Sequence, residues 1–213
     1  EYTHEGSIFI NPCMGSGCVQ LAGWLPRAII RSGNDHHLKP HELPARATMD
    51  DSRFNDEAAL LAAIEKAREL RRQDDLEGSQ EQLLELMDVY PDHPLVLFEV
   101  GGAYDVMDEV EMAIPYYRRA IEAGLDGRDL QECLVCLGST LRVVGEHEEA
   151  VETLERAVDE FPENRSARVF LALAHYSNGD ADLAVSDLLG LLLETTTDAD
   201  ILAYADALDY FKD

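Results

Sequence analysis

The sequence predicts an all-α solenoid of paired helices, and three observations lead there. Apolar residues recur three to four apart through most of the chain, the mark of one buried helix face. Four separate ladders of residues repeat with one shared set of spacings. Helix-stopping residues fall between the rungs, where a solenoid must turn. Composition agrees, since 213 residues that are 46% hydrophobic and 28% charged can bury a core without metal or disulfide staples.

Residues 1–48 stand apart. They carry four basic and four acidic side chains, so they are neutral, and they are dense in Pro and Gly. They hold no 34-residue register. This segment is expected to be an irregular extension dispensable to the fold, and two origins stay open: a native extension, or sequence upstream of a start at Met49. Repeats begin beyond residue 55. The first ladder is Ala67, Gly101, Gly138 and Ala172; the second is Ser79, Ala113, Ala150 and Ala184. Leu83, Tyr117, Leu154 and Leu188 form a third, and Leu86, Ala120, Ala157 and Leu191 a fourth. Every ladder steps by 34, 37 and 34 residues. The three extra residues fall around Asp126 to Asp129, where Gly127 marks a longer turn.

Each unit reads as two amphipathic helices. Leu97, Val100, Gly101 and Tyr104 make one face, and Ala113, Tyr117, Ala120 and Ile121 the face that meets it. Small residues let two backbones approach. Between the two helices stand Asp74-Asp75, Asp108, Gly145 and Gly179-Asp180, residues that stop one helix and cap the next. Pro91 and Pro162 close their units, and Pro115 is expected to kink the helix it interrupts.

These residues resemble the tetratricopeptide repeat family. The best unit offers Leu134, Leu137, Gly138, Leu141, Gly145, Ala150, Leu154, Ala157 and Pro162; the one before it offers Leu97, Val100, Gly101, Tyr104, Ala113, Tyr117 and Ala120. The resemblance implies a repeat domain over 55–213, with units near 60–93, 94–127, 131–164 and 165–198. An apolar stretch from Ile201 to Phe211 resembles the capping helix such arrays need, placed at 198–211. It further implies a right-handed α-α superhelix of the stand-alone bacterial type. Its function would be to hold a protein or peptide in a concave groove lined by first helices.

Carried over residue by residue, that groove is Arg68, Arg71, Phe98, Asp105, Val135, Ser139, Arg142, Val169, Leu173 and Tyr176. Exposed aromatic, aliphatic and Arg side chains there would suit an amphipathic peptide bearing one or two carboxylates. Chaperone-binding relatives carry a clamp of Lys, Asn, Asn, Lys and Arg. This chain offers Ile64, Arg68, Glu99, Glu132 and Cys136 in one frame, and Phe98, Gly102, Cys136, Ser166 and Phe170 in the next. Neither matches, so capture of a chaperone's acidic tail is disfavoured.

Charge narrows the classes. Residues 49–213 hold 39 acids against 13 bases, which accounts for the whole net charge of −26. Nucleic acid and anionic membranes would both be repelled. The longest apolar run, Leu188 to Leu193, has six residues. The acidity suits either a basic partner or a salt-loaded cytoplasm, since this region has two Lys (Lys66 and Lys212) against eleven Arg.

Catalytic and metal motifs are weak. Cys133 and Cys136 form a C-x2-C, but they lie inside a first helix beside core Leu134 and Leu137, as buried free thiols would. A metal or thiol-redox protein using this pair is the minor alternative, and a regulatory or assembly module of a larger complex is another. His147-Glu148-Glu149 lacks the second His of a zinc protease motif, and Gly15-Ser16-Gly17 lacks a third Gly. The expectation is therefore a non-enzymatic, cofactor-free, cytoplasmic scaffold.

Overall fold

The computed structural model describes residues 57–212, so the expectations for residues 1–48 and Met49 lie outside the described residues. Eight helices form four antiparallel pairs. The first helices are α1 (Glu57–Arg72), α3 (Pro94–Val106), α5 (Gly127–Val144) and α7 (Arg165–Asn178). Their partners are α2 (Leu76–Val89), α4 (Val110–Glu122), α6 (His147–Glu160) and α8 (Ala181–Thr195). Each first helix packs on its own partner, α2, α4 and α6 also pack on the first helix of the next unit, and the pairs stack into a right-handed α-α superhelix. Two short helices, α9 (Ala199–Leu202) and α10 (Ala205–Asp209), and a 3-10 turn (Tyr210–Lys212) end the array. The C-terminal cap is thus broken at Ala203-Tyr204 rather than one continuous helix, and neither α9 nor α10 has a buried residue.

The ladders are the core. Ala67, Gly101, Gly138 and Ala172 are buried where first helices meet second ones. A methyl group added at Gly101 would stand 2.7 Å from the Tyr117 ring, and one at Gly138 would collide with Leu154. Those two glycines let the larger rung of the third ladder press against the first helix's backbone. Leu83, Tyr117 and Leu154 are each 0% exposed. Leu188, their counterpart in the last unit, is 42% exposed.

The turn inside every pair uses one left-handed residue. Asp74, Asp108, Gly145 and Gly179 have φ of 67°, 63°, 92° and 97°, and they follow the same 34, 37, 34 spacing. Glycine takes this conformation without penalty, whereas Asp tolerates it at some cost. Asp75 then caps α2 by accepting from the Gly78 N–H at 3.0 Å. Asn164 likewise caps α7, accepting from Ser166 and Ala167.

One local feature differs from the sequence reading. The three extra residues lengthen a helix as well as a turn: α5 starts at Gly127 and runs for 18 residues. Helix α4 continues through Pro115, which forgoes a bond to the Glu111 carbonyl without ending the helix.

Candidate functional site

The register stacks equivalent first-helix residues in rows from one unit to the next. One row is Arg71, Asp105, Arg142 and Tyr176; another is Arg68, Gly102, Ser139 and Leu173; a third is Ile64, Phe98, Val135 and Val169. The residues carried over as groove-lining do lie along these rows, but their surroundings differ sharply from one end to the other.

At the N-terminal end the charges are used internally. Glu99, on α3, is buried and receives two arginines from α1. Arg68 Nε donates to Glu99 Oε1 at 2.7 Å. Arg71 Nη2 donates to Glu99 Oε2 at 3.2 Å and to the Glu99 carbonyl at 3.3 Å. Asp129, from α5, stands 3.6 Å from Arg68. Gly102 leaves the space that the Arg71 guanidinium fills, with a would-be Cβ only 3.2 Å from Nη1. A buried carboxylate needs such partners, because desolvation of an unpaired charge is costly. Sequence reasoning noted Glu99 only as a mismatch to the chaperone clamp. The missed signal was one acid inside the apolar run Leu95 to Val100, facing two Arg three residues apart on the preceding first helix.

The middle is a second polar knot. The Tyr117 hydroxyl donates to Asp105 Oδ2 at 3.0 Å, and the Thr140 hydroxyl also reaches this carboxylate. Burial pushes the Asp105 carboxyl up to about 6, although the bonds from Tyr117 and Thr140 pull the other way. Phe98 is 5% exposed and tilts against Tyr117 with ring centroids 6.0 Å apart. Val135 and Ser139 are buried too. The expectation that Phe98 and Val135 stand exposed is not met: Phe98 packs into the α3–α5 core, and Val135 into a cluster with Ala157, Ala167 and Phe170.

The C-terminal end is open. Leu173 is 40% and Tyr176 70% exposed, and Val169 is half-buried beside them. Arg142, one unit earlier in the Tyr176 row, is half-buried, and its Nε is buried with no hydrogen-bond partner. It has no carboxylate partner among the described residues. Helix α5 packs directly beside α7, so a cation short of a counter-ion adjoins an exposed apolar strip.

The residues of the minor alternative are placed as core. Cys133 and Cys136 are both buried, and Cys133 is a free thiol whose Sγ faces the Tyr117 carbonyl at 3.7 Å. Burial pushes the Cys133 thiol up to about 12, which keeps it protonated and a poor nucleophile or ligand at neutral pH. Cys136 is not free, so the expectation of two free thiols holds for Cys133 alone. Among the described residues no cluster of His, Cys, Asp and Glu is arranged to hold a metal ion. No described helix is long and apolar enough to cross a membrane.

Comparison with known proteins fixes the lineage. The tetratrico peptide repeat family matches residues 94–208, more than half of the chain. The chain belongs to this family. Solved repeat proteins share its fold at low identity. YrrB, a TPR protein with an unusual peptide-binding site, superposes with a TM-score of 0.56 at 20% identity, covering 70% of this chain and 76% of its own. MamA from Desulfovibrio magneticus RS-1 gives 0.58 at 14% identity, covering 78% and 88% respectively. Another MamA structure gives 0.56 at 19% identity, covering 68% of this chain and 90% of its own. No curated protein matches the sequence. Family membership accounts for the solenoid; the difference between the two ends of the first-helix rows belongs to this chain.

Proposed function

We propose that this tetratrico peptide repeat protein is a non-catalytic scaffold that holds a peptide or protein segment on the C-terminal half of its concave face. Arg142, Val169, Leu173 and Tyr176 make the contacts, and Arg68, Arg71, Phe98, Asp105, Val135 and Ser139 form the rigid floor and wall beside them. The observation that carries this reading is Arg142: a half-buried guanidinium with no carboxylate partner among the described residues, on a helix packed against the one that carries the exposed Leu173 and Tyr176. A partly desolvated cation gains most from a ligand carboxylate, which would make charge-assisted bonds there. Tyr and Leu supply area for an apolar side chain one or two residues away. That a family relative of the same fold, YrrB, has a peptide-binding site supports the class of ligand.

The test is selection of a displayed library of random peptides on the full chain. Recovered sequences should pair an acidic residue with a large apolar one. Arg142→Ala and Tyr176→Ala should each weaken a recovered peptide by about tenfold, on the hot-spot scale, with helicity unchanged. Recovered peptides that lack acids and bind both variants as tightly as the parent would refute the reading.

A further inference from the structure

The last pair of helices is joined by different means from the other three. The apolar clusters of the core draw side chains from every helix from α1 to α7 and none from α8. Helices α2, α4 and α6 each bury at least one large side chain, among them Leu83, Tyr117 and Leu154, whereas the buried residues of α8 are Ala184 and Gly190. Those three helices also pack between two first helices. Helix α8 packs closely on one, α7, and otherwise on α10 and the 3-10 turn.

Polar bonds stand where the other units use apolar contacts. Arg168 donates to Glu194, and seven residues further along α7 His175 Nδ1 meets Asp187 Oδ2 at 2.9 Å. Seven residues is about two turns of each helix, so both bonds lie along one seam. The ladder spacings place Leu134 with Glu160 and Leu141 with Thr153 at these positions in the third unit, and Leu97 with Ala123 and Tyr104 with Tyr116 in the second. Leu141 is wholly buried there, and the Tyr104 and Tyr116 rings stack with centroids 5.4 Å apart. Ion pairs that reach the surface contribute little beside a large buried side chain. The stability of a repeat array is close to a sum over units and their nearest-neighbour interfaces. The helix with the least buried area and one main interface therefore opens most readily. The opposite end is better tied: α1 gives Leu60, Ile64 and Ala67 to the core and is bonded to α3 through Glu99.

We propose that α8, with α9, α10 and the 3-10 turn, is a flap that opens from α7 as one unit while α1 to α7 stay folded, and that the Arg168–Glu194 and His175–Asp187 bonds are the clasp that sets how often it opens. Such a flap exposes one flank of α7 without unfolding the array. The inference rests on packing alone and does not require the ligand proposed for the concave face.

The experiment is native-state hydrogen exchange of the full chain, read by mass spectrometry over a series of urea concentrations below the unfolding transition. Residues 181–209 should exchange through one shared opening, with protection about a hundredfold or more below that of α5 and α6. Glu194→Gln, at an exposed position, should speed exchange in that segment alone by about threefold, the effect of losing a half-exposed ion pair. Giving the second bond the third unit's residues, His175→Leu together with Asp187→Thr, should slow it by about tenfold, because apolar burial replaces the bond. Protection of α8 equal to that of α6, or opening of α7 at the same rate as α8, would overturn the proposal. So would variants that leave the segment's exchange at the parent rate or change all helices alike.

Discussion

The two ends of the first-helix rows are built from equivalent positions and end in opposite states. In the first two units the row positions hold Arg68, Arg71 and Phe98, and the arginines are spent on Glu99 while the phenylalanine is packed on Tyr117. In the last two units the same rows hold Arg142, Leu173 and Tyr176, with a cation lacking a carboxylate and two exposed apolar groups. One buried acid makes the difference. Glu99 draws its charges inward, and among the described residues no carboxylate does so for Arg142. A repeat scaffold can therefore keep one backbone throughout while the surroundings of equivalent side chains change from unit to unit.

The largest effect should come from breaking the closed end. Glu99→Ala leaves the buried Arg71 without its counter-ion and should cost about 3 kcal/mol of unfolding free energy in urea titration. Phe98→Ala, which empties core space beside Tyr117, should cost about as much. Tyr176→Ala, at the open end, should stay within about 0.5 kcal/mol of the parent. Were Phe98→Ala as silent as Tyr176→Ala, the two ends would not differ in the way described.

A smaller effect sharpens the boundary between the ends. The Asp105 carboxyl titrates near 3.8 ordinarily and about 6 when folded, so the folded state holds the proton more tightly between those values. Stability from this group is full below about pH 4, falls as pH rises to about 6, and is absent above. The fall should be on the order of 3 kcal/mol. Asp105→Asn should flatten that part of the pH profile and equal or exceed the parent at pH 7. A parent whose stability rises from pH 4 to 6.5 relative to Asp105→Asn would mean that the bonds from Tyr117 and Thr140 outweigh burial and hold the carboxyl below its ordinary value.

The smallest effect compares the turns. Asp74 and Asp108 in the early units hold the left-handed conformation that Gly145 and Gly179 hold in the later ones. Asp108→Gly should stabilise by a few tenths to about 1 kcal/mol, and Gly145→Ala should destabilise by about 1 kcal/mol. Thermal melts of the two variants should therefore move in opposite directions.

Much of this architecture is legible in the residues. The four ladders placed every helix pair because a solenoid repeats its packing, and small residues opposite large ones leave a periodic trace. The turn residues were legible for the same reason. The states of the groove positions were not, because exposure depends on what faces a residue across units. Phe98 and Tyr176 are both aromatic on first helices, yet the fold brings Tyr117 under one and leaves the other exposed. Leu188 misled in the reverse sense: its ladder predicts core, but burial there requires a following helix. Glu99 needed a judgement about polarity rather than period. An acid in an apolar helix stretch implies cations nearby, and Arg68 and Arg71 were in reach by register.

The most direct test of the contrast between the two ends is hydrogen exchange of the full chain with and without a saturating library-selected acidic peptide. Protection is predicted in α7 over residues 165–178 and in the last two turns of α5 around Arg142, with α1 and α3 unchanged. Protection centred on α1 and α3, or on the outward face of α6 around Glu148-Glu149, with α7 unaffected, would contradict it.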